Sequence, residues 1–76
     1  MKYKQLDVII GAKLKQLRNK KGYSTQYVGD HIGKSNVAIT YYEQGRNATD
    51  LTTLKQLCNL YDVDMLEFLA EIYEDI

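Results

Sequence analysis

The sequence predicts an all-α domain of five helices. Over most of its 76 residues, apolar side chains recur three and four positions apart, which is the spacing of the buried face of an amphipathic helix. Three residues suited to begin helices, and three glycines suited to end them, punctuate this pattern: Ser24, Ser35 and Asp50, and Gly22, Gly33 and Gly45. The chain has no proline and no low-complexity stretch, so residues 1–76 are expected to form one compact domain.

Each of the first two predicted helices has one apolar face. Helix 1 is expected from about residue 6 or 7 to residue 20, with an inward stripe at i, i+4 and i+7 made of Ile10, Leu14 and Leu17. Helix 2 is expected from about residue 25 to residue 32, after the N-cap Ser24. Its inward face consists of Val28, Gly29 and Ile32.

Helix 3 is expected from about residue 36 to residue 44, and its two faces differ in chemistry. The inward stripe consists of Ala38, Ile39 and Tyr42. The outer face then consists of Asn36, Val37, Thr40, Tyr41 and Gln44, none of which is charged. A merely solvated face commonly carries Lys and Glu, whereas amide, hydroxyl, aromatic and methyl groups suit the edges of DNA bases. A neutral polar surface is the alternative.

Two short capped helices joined by a glycine-containing turn predict a helix-turn-helix, whose second helix enters the DNA major groove. The residues expected to contact bases are Asn36, Val37, Thr40 and Tyr41. The residues expected to contact phosphates, near the first turn of helix 2 and beside helix 3, are Ser24, Thr25, Gln26, Lys34, Gln44, Arg46 and Asn47. For Lys20 and Lys21, simple solvation and a phosphate contact are both open.

A longer pattern runs along the chain through Ile10, Gly11, Leu14, Leu17, Arg18, Gly22, Tyr23, Ser24, Val28, Gly29, Ile32, Gly33, Ser35, Ile39, Glu43, Gly45, Leu54, Leu57 and Val63. In order and spacing these residues resemble the Cro/C1-type helix-turn-helix family of bacterial and phage transcriptional regulators. The resemblance covers roughly residues 7–69 and implies a compact five-helix, lambda-repressor-like DNA-binding domain. The chain departs from the family at Thr25, where Gln is usual, and at Lys34, where a small apolar residue such as Val is usual.

The resemblance also implies a structural ion pair. In the family an arginine at the place of Arg18 pairs with a glutamate at the end of the recognition helix, which here is Glu43. We therefore expect an Arg18–Glu43 salt bridge that holds helix 3 against helix 1. Two independent surface charges are the alternative.

Helices 4 and 5 complete the predicted domain. Helix 4 is expected to start after the N-cap Asp50 and to run to Tyr61, with an inward stripe of Leu51, Leu54, Leu57, Cys58 and Tyr61. Helix 5 is expected over about residues 65–75, because Asp64 and Glu67 have the spacing of a capping box.

Helix 5 has more apolar surface than one face can use. One stripe consists of Met65, Phe68, Leu69, Ile72 and Ile76, and a neighbouring one of Leu66, Leu69 and Tyr73. We expect one side to close the core and the other to form a homodimer interface made of Leu66, Leu69, Ile72 and Tyr73. A monomer whose last helix only covers its own core is the alternative.

Charge is unevenly distributed, although the net charge is zero. Up to Arg46, nine Lys and Arg residues stand against three acids, a net of +6; from Asn47 onward, one lysine stands against seven acids, a net of −6. We expect the basic part to face phosphates and the acidic part to face away from them, with ordinary uneven surface charge as the alternative.

Other classes of function find little support. There is no signal peptide and no apolar segment of membrane length, so a cytoplasmic protein without membrane association is expected. Cys58 is the single cysteine and His31 the single histidine, so neither a disulfide, a metal site nor a cofactor is expected; Cys58 suits the core and His31 the surface. No acid–base pair, activated nucleophile or phosphate-binding glycine loop indicates an enzyme.

The expected function is therefore sequence-specific binding of double-stranded DNA by a transcriptional regulator. The simplest form is a dimeric repressor that reads a palindromic operator in the major groove. The alternative is a protein-interaction module, such as an antitoxin or an antirepressor-binding regulator, with a regulatory protein as its partner.

Overall fold

The computed structural model describes the backbone of residues 2–75 and the side chains of residues 5–74. Within this range the chain forms five helices and no strand: α1 (Lys2–Lys21), α2 (Thr25–Ile32), α3 (Asn36–Gln44), α4 (Leu51–Leu60) and α5 (Met65–Asp75). The prediction of an all-α, five-helix fold is confirmed. In the described part of the chain, no helix combines the length and apolar character needed to span a bilayer.

Helices α2 and α3 have the boundaries that their caps predict. The hydroxyl of Ser24 accepts a hydrogen bond from the Tyr27 amide, and that of Ser35 from the Ala38 amide, both at 3.0 Å. Helix α1 begins at Lys2, before its apolar stripe, because extending an existing helix adds a hydrogen bond for each residue that is fixed.

The core lies between the helices, with α3 packed on α1 and α2, and α4 packed on α2 and α5. Its buried apolar residues are Leu14, Val28, Ile39, Tyr42, Leu54, Leu57, Cys58, Tyr61, Phe68 and Ile72. The prediction that Leu51 faces inward is wrong, because 67% of this residue is exposed at the first position of α4. Thr53 is buried on that helix instead, and its hydroxyl is satisfied by the Asp50 carboxylate at 2.7 Å.

Helix α5 uses only one of its two apolar stripes to close the core. Phe68 and Ile72 are buried, whereas Leu66 and Tyr73 are 76% and 77% exposed and Leu69 is half-buried. The prediction that Ile72 belongs to a dimer interface is therefore wrong, because its own chain covers its side chain. Ile76, which the pattern also assigns to this helix, lies outside the described residues.

Candidate nucleic-acid interface

The turn between α2 and α3 depends on a close approach at Gly29. A β-carbon at this position would lie 2.5 Å from the Lys34 carbonyl oxygen, so a larger residue would push the turn away from α2. The Lys34 amide donates to the Gly29 carbonyl oxygen at 2.9 Å, and Gly33 ends α2 with a φ of 72°. Helices α2 and α3 are thus held as one unit with a fixed crossing.

Helix α3 is attached to the domain through its inner side. Ile39 is 1% exposed and Tyr42 is 9% exposed. On α1, a β-carbon at Gly11 would collide with the Tyr42 carbonyl oxygen and lie 2.6 Å from that of Glu43. Because only glycine fits there, the backbones of α1 and α3 can touch, and the outer face of α3 is left open.

The Arg18–Glu43 ion pair is present and fixes the end of α3 to α1. Arg18 Nε lies 2.6 Å from Glu43 Oε2, and Arg18 Nη2 lies 3.0 Å from Glu43 Oε1. The third nitrogen, Nη1, donates to the Tyr23 carbonyl oxygen at 2.9 Å. Only 12% and 6% of the two side chains are exposed, and the hydrogen bonds that Arg18 donates to Glu43 raise the pKa of the Arg18 guanidinium. This bidentate contact holds α3 in one orientation.

The predicted base-contacting residues fall into two groups by exposure. Asn36 and Val37 are exposed, Val37 to 52%, whereas Thr40 and Tyr41 are half-buried. The Thr40 hydroxyl donates to the Asn36 carbonyl oxygen at 3.1 Å, so its remaining capacity is to accept a hydrogen bond. Asn36 and Val37 are therefore more accessible to a ligand than Thr40 and Tyr41.

Tyr41 is fixed by the segment that follows α3. The Arg46 guanidinium carbon lies 4.6 Å from the centre of the Tyr41 ring, within the range of a cation–π contact. The Arg46 amide also donates to the Tyr41 carbonyl oxygen at 2.9 Å, next to the C-cap Gly45. Arg46 and the exposed Asn47 are consequently held beside the open face of α3.

The predicted phosphate contacts differ in how free their side chains are. Lys34, Gln44, Arg46 and Asn47 are exposed. Gln26 is exposed as well, but its amide donates to the Asp30 carboxylate at 2.9 Å, and the hydroxyl of Ser24 is occupied by capping α2. Thr25 is half-buried at the start of α2.

A cleft of about 250 Å³ lies where α1, α2 and α3 meet. It is lined by Lys15, Arg18, Thr25, Thr40, Glu43 and Gln44. Lys15 is absent from the contacts that the sequence predicts. Its only sequence signal is the spacing of three residues from Arg18, which puts the two on neighbouring positions of one helix face.

Two basic residues of α1 are tied to the acidic part of the chain. Lys21 Nζ lies 2.7 Å from Asp62 Oδ2, and Lys13 Nζ lies 3.2 Å from Glu71 Oε1. Such exposed pairs add little stability, but they compensate part of the positive charge of α1. The basic side is thus smaller than the sequence suggests, and the side chains of Lys2 and Lys4 lie outside the described residues.

Three aromatic rings in contact, one before α2 and two on it, are a feature that the sequence patterns do not predict. The ring centres of Tyr23 and Tyr27 are 4.4 Å apart, and those of Tyr27 and His31 are 4.1 Å apart. Their spacing of four residues is the available signal. His31 is exposed and its Nδ1 lies 2.9 Å from the Tyr27 carbonyl oxygen, whereas Cys58 is buried, which raises the pKa of its thiol.

Two crystal structures of the clp gene regulator ClgR from Corynebacterium glutamicum have the same fold as this chain. One aligns with a TM-score of 0.83 over 93% of this chain and 92% of that chain. The other aligns with a TM-score of 0.84 over 92% of this chain and 74% of that chain. The sequence identity is 21% in both, so this likeness concerns the fold alone.

Similarity in sequence identifies the family. The SPbeta prophage-derived uncharacterized HTH-type transcriptional regulator YonR of Bacillus subtilis (strain 168) is 38% identical over 55 residues, which are 72% of this chain and 51% of that protein. The chain thus spans about half the length of this relative. The profile of the family described as Helix-turn-helix matches residues 14–68, which include all of α2, α3 and α4. The chain therefore belongs to the helix-turn-helix family of Cro/C1-type transcriptional regulators.

Proposed function

We propose that this regulator binds double-stranded DNA sequence-specifically as a homodimer, most simply as a repressor on a palindromic operator. The observation that carries the proposal is the open, uncharged face of α3, held from behind by the buried Ile39 and Tyr42 and by the Arg18–Glu43 ion pair. A face that is both rigid and rich in hydrogen-bonding groups suits direct readout of base edges. The chain acts by binding rather than catalysis, in the cytoplasm, and needs no cofactor.

Base readout is assigned to Asn36, Val37, Thr40 and Tyr41. Asn36 can form two hydrogen bonds with N6 and N7 of adenine, and Val37 can pack on a thymine methyl group. Both are exposed at the first turn of α3, the part of a recognition helix that reaches bases in this type of motif. Thr40 can accept a hydrogen bond from a base, and the ring and hydroxyl of Tyr41 can contact a methyl group, a sugar or a base.

Backbone contacts are assigned to Ser24, Thr25, Gln26, Lys34, Gln44, Arg46 and Asn47. Arg46 is the best supported of these, because its position beside α3 is set by the Tyr41 ring and backbone. The carboxylate of Asp30 must release Gln26 before this side chain can bind a phosphate. These contacts would set the register of α3 in the groove without reading sequence.

Dimerisation is assigned to the exposed strip of α5, with the whole of residues 1–76 acting as one DNA-binding domain. Leu66, Leu69 and Tyr73 lie at i, i+3 and i+7 on this helix, and Leu66 and Tyr73 leave most of their surface in solvent. A two-fold dimer would present two α3 helices to successive major grooves, about 34 Å apart. In sedimentation equilibrium, a monomer mass independent of protein concentration, with and without DNA, would contradict this assignment.

Selection of bound duplexes from a random pool tests DNA recognition. We expect an enriched motif with two inverted half-sites about one helical turn apart. Asn36→Ala should weaken binding to that motif by about 1–3 kcal/mol and relax preference at one base pair per half-site, while the melting temperature stays unchanged. Lys55→Ala, an exposed substitution on α4, is the control. Equal losses on all operator variants would make Asn36 a positioning residue only.

The second candidate function is a protein-interaction module, such as an antitoxin or an antirepressor-binding regulator. The exposure of Leu66 and Tyr73 favours it, because a partner protein can cover the same strip. Added salt separates the candidates: DNA binding through several phosphates weakens steeply with salt, whereas binding through an apolar strip does not. A pool selection without any enriched motif would favour the interaction module.

A further inference from the structure

The cleft between α1, α2 and α3 is lined by the six residues named above, each of which carries a polar or charged group. It opens beside the outer face of α3, since Thr40 and Gln44 belong to both the face and the cleft. We call it the α1–α3 cleft. If α3 enters a DNA groove, the DNA backbone at the edge of that groove would pass over the α1–α3 cleft.

The charges in the α1–α3 cleft do not cancel. Glu43 accepts hydrogen bonds from Arg18 at both of its carboxylate oxygens, and the pair is nearly buried. Lys15, in contrast, is exposed and forms no ion pair within residues 5–74. The net charge that the cleft presents to a ligand is therefore the single positive charge of the Lys15 ammonium.

Hydrogen-bond donors accompany this charge. Neither the hydroxyl of Thr25 nor the side-chain amide of Gln44 has a hydrogen-bond partner in the described part of the chain. Both side chains line the cleft opposite Lys15. An ammonium group with neutral donors around it is the chemistry that recognises a phosphate.

We propose that the α1–α3 cleft receives one phosphate of the DNA backbone and that Lys15 is a phosphate-binding residue. The inference rests on the proposed DNA binding and adds Lys15 of α1 to the assigned phosphate contacts, which otherwise lie on α2, α3 and their flanks. Lys15 supplies the charge, and Thr25 and Gln44 supply hydrogen bonds to the same phosphate. Lys15 thereby helps to set the position of α1 on the DNA backbone and does not contribute to base recognition.

The test compares Lys15→Ala with Lys55→Ala. Both residues are exposed lysines, but Lys55 belongs to α4 and does not line the cleft. Binding of a random-sequence duplex is measured by fluorescence anisotropy between about 50 and about 200 mM NaCl. The affinity falls with added salt, and losing one phosphate contact should make the slope of log affinity against log salt less steep by about 0.9. The ratio of the parent's affinity to that of Lys15→Ala should therefore shrink about 3.5-fold from the lowest to the highest salt concentration. Lys55→Ala should keep the parent's slope.

A second variant pair tests whether the phosphate is shared. If Lys15 and Thr25 hold the same group, Thr25→Val should weaken binding in the parent and have a smaller effect in the Lys15→Ala background. Additive losses would overturn the shared site. Lys15→Gln, which removes the charge but keeps a polar side chain, should reproduce the slope of Lys15→Ala, and circular dichroism checks that each variant is folded.

The outcomes separate the two proposals. Equal slopes for Lys15→Ala and Lys55→Ala, with a parent that binds DNA, would overturn the role of Lys15 and leave the proposed function standing. A parent without salt-dependent DNA binding would overturn the proposed function, and the role of Lys15 with it.

Discussion

Helices α3 and α5 each bury one side in the core and leave the other in solvent, yet their open sides differ. The open side of α3 carries Asn36, Val37 and Gln44 without a charge, and basic residues flank it. The open side of α5 carries Leu66 and Tyr73, and its acids Glu67 and Glu71 line the groove toward α1. The same amphipathic construction therefore yields one surface suited to a polyanion and another suited to an apolar partner.

The two helices also differ in how they are attached. A bidentate ion pair and a close backbone approach at Gly11 hold α3, whereas burial of Phe68 and Ile72 holds α5. Hydrogen bonds are directional and apolar burial is not. The difference teaches that orientation is fixed more closely for the helix that is proposed to enter a DNA groove than for the one that closes the core.

The largest expected effect is that of Arg18→Ala, which breaks the attachment of α3. Removing one partner of a nearly buried ion pair leaves the Glu43 charge uncompensated and should cost about 3–5 kcal/mol of unfolding free energy. Urea denaturation followed by circular dichroism measures the loss. Lys21→Ala, which breaks the exposed pair with Asp62, is the control and should change stability little. Similar losses in both variants would mean that the ion pair does not hold α3.

The next effect concerns the attachment of α5. Ile72→Ala leaves a cavity in the core and should lower the unfolding free energy by about 2–5 kcal/mol. Leu66→Ala, on the open side of the same helix, should stay within about 0.5 kcal/mol of the parent when the protein is dilute enough to be monomeric. Thermal unfolding at several protein concentrations makes the comparison. A large loss for Leu66→Ala in the monomer would show that α5 uses both stripes within its own chain.

The smallest expected change in stability near neutral pH is that caused by Tyr61→Phe, at the C-cap of α4. Burial, followed by the charge of Glu43, raises the pKa of Tyr61 above its ordinary value of 10.0. Above that pH the unfolded chain loses the phenol proton while the folded chain keeps it, so stability should fall as pH rises from about 10. Urea denaturation at about pH 8 and about pH 11 should show a smaller fall for Tyr61→Phe than for the parent. The exposed Tyr73→Phe is the control, and the same fall in both variants would contradict the assignment to Tyr61.

Local signals explain how much of the fold can be predicted from the sequence. Helices α2 and α3 are bounded by N-caps and glycines that act within one helical turn, so their ends can be read from the chain. The face that a helix buries is decided by its neighbours. The two stripes of α5 overlap at Leu69, and only the folded structure, in which α5 packs on α4, shows that Ile72 lies inside.

The candidate site shows the same division. Spacing along α3 is enough to predict which residues leave the core, and the resemblance to a family supplies the Arg18–Glu43 pair. Lys15 cannot be found this way, because its proximity to Thr25 and Gln44 arises from the contact between α1 and α3. The hydrogen bond from Gln26 to Asp30 spans four residues of one helix, and the contact competes with the predicted role of Gln26.

The way α3 is held has a consequence for engineering. Since Ile39, Tyr42 and Glu43 make the attachment, positions 36 and 37 can be exchanged without disturbing what fixes the helix. A library randomised at these two positions should yield mostly folded proteins with altered target preferences, which makes the domain a compact scaffold for retargeting.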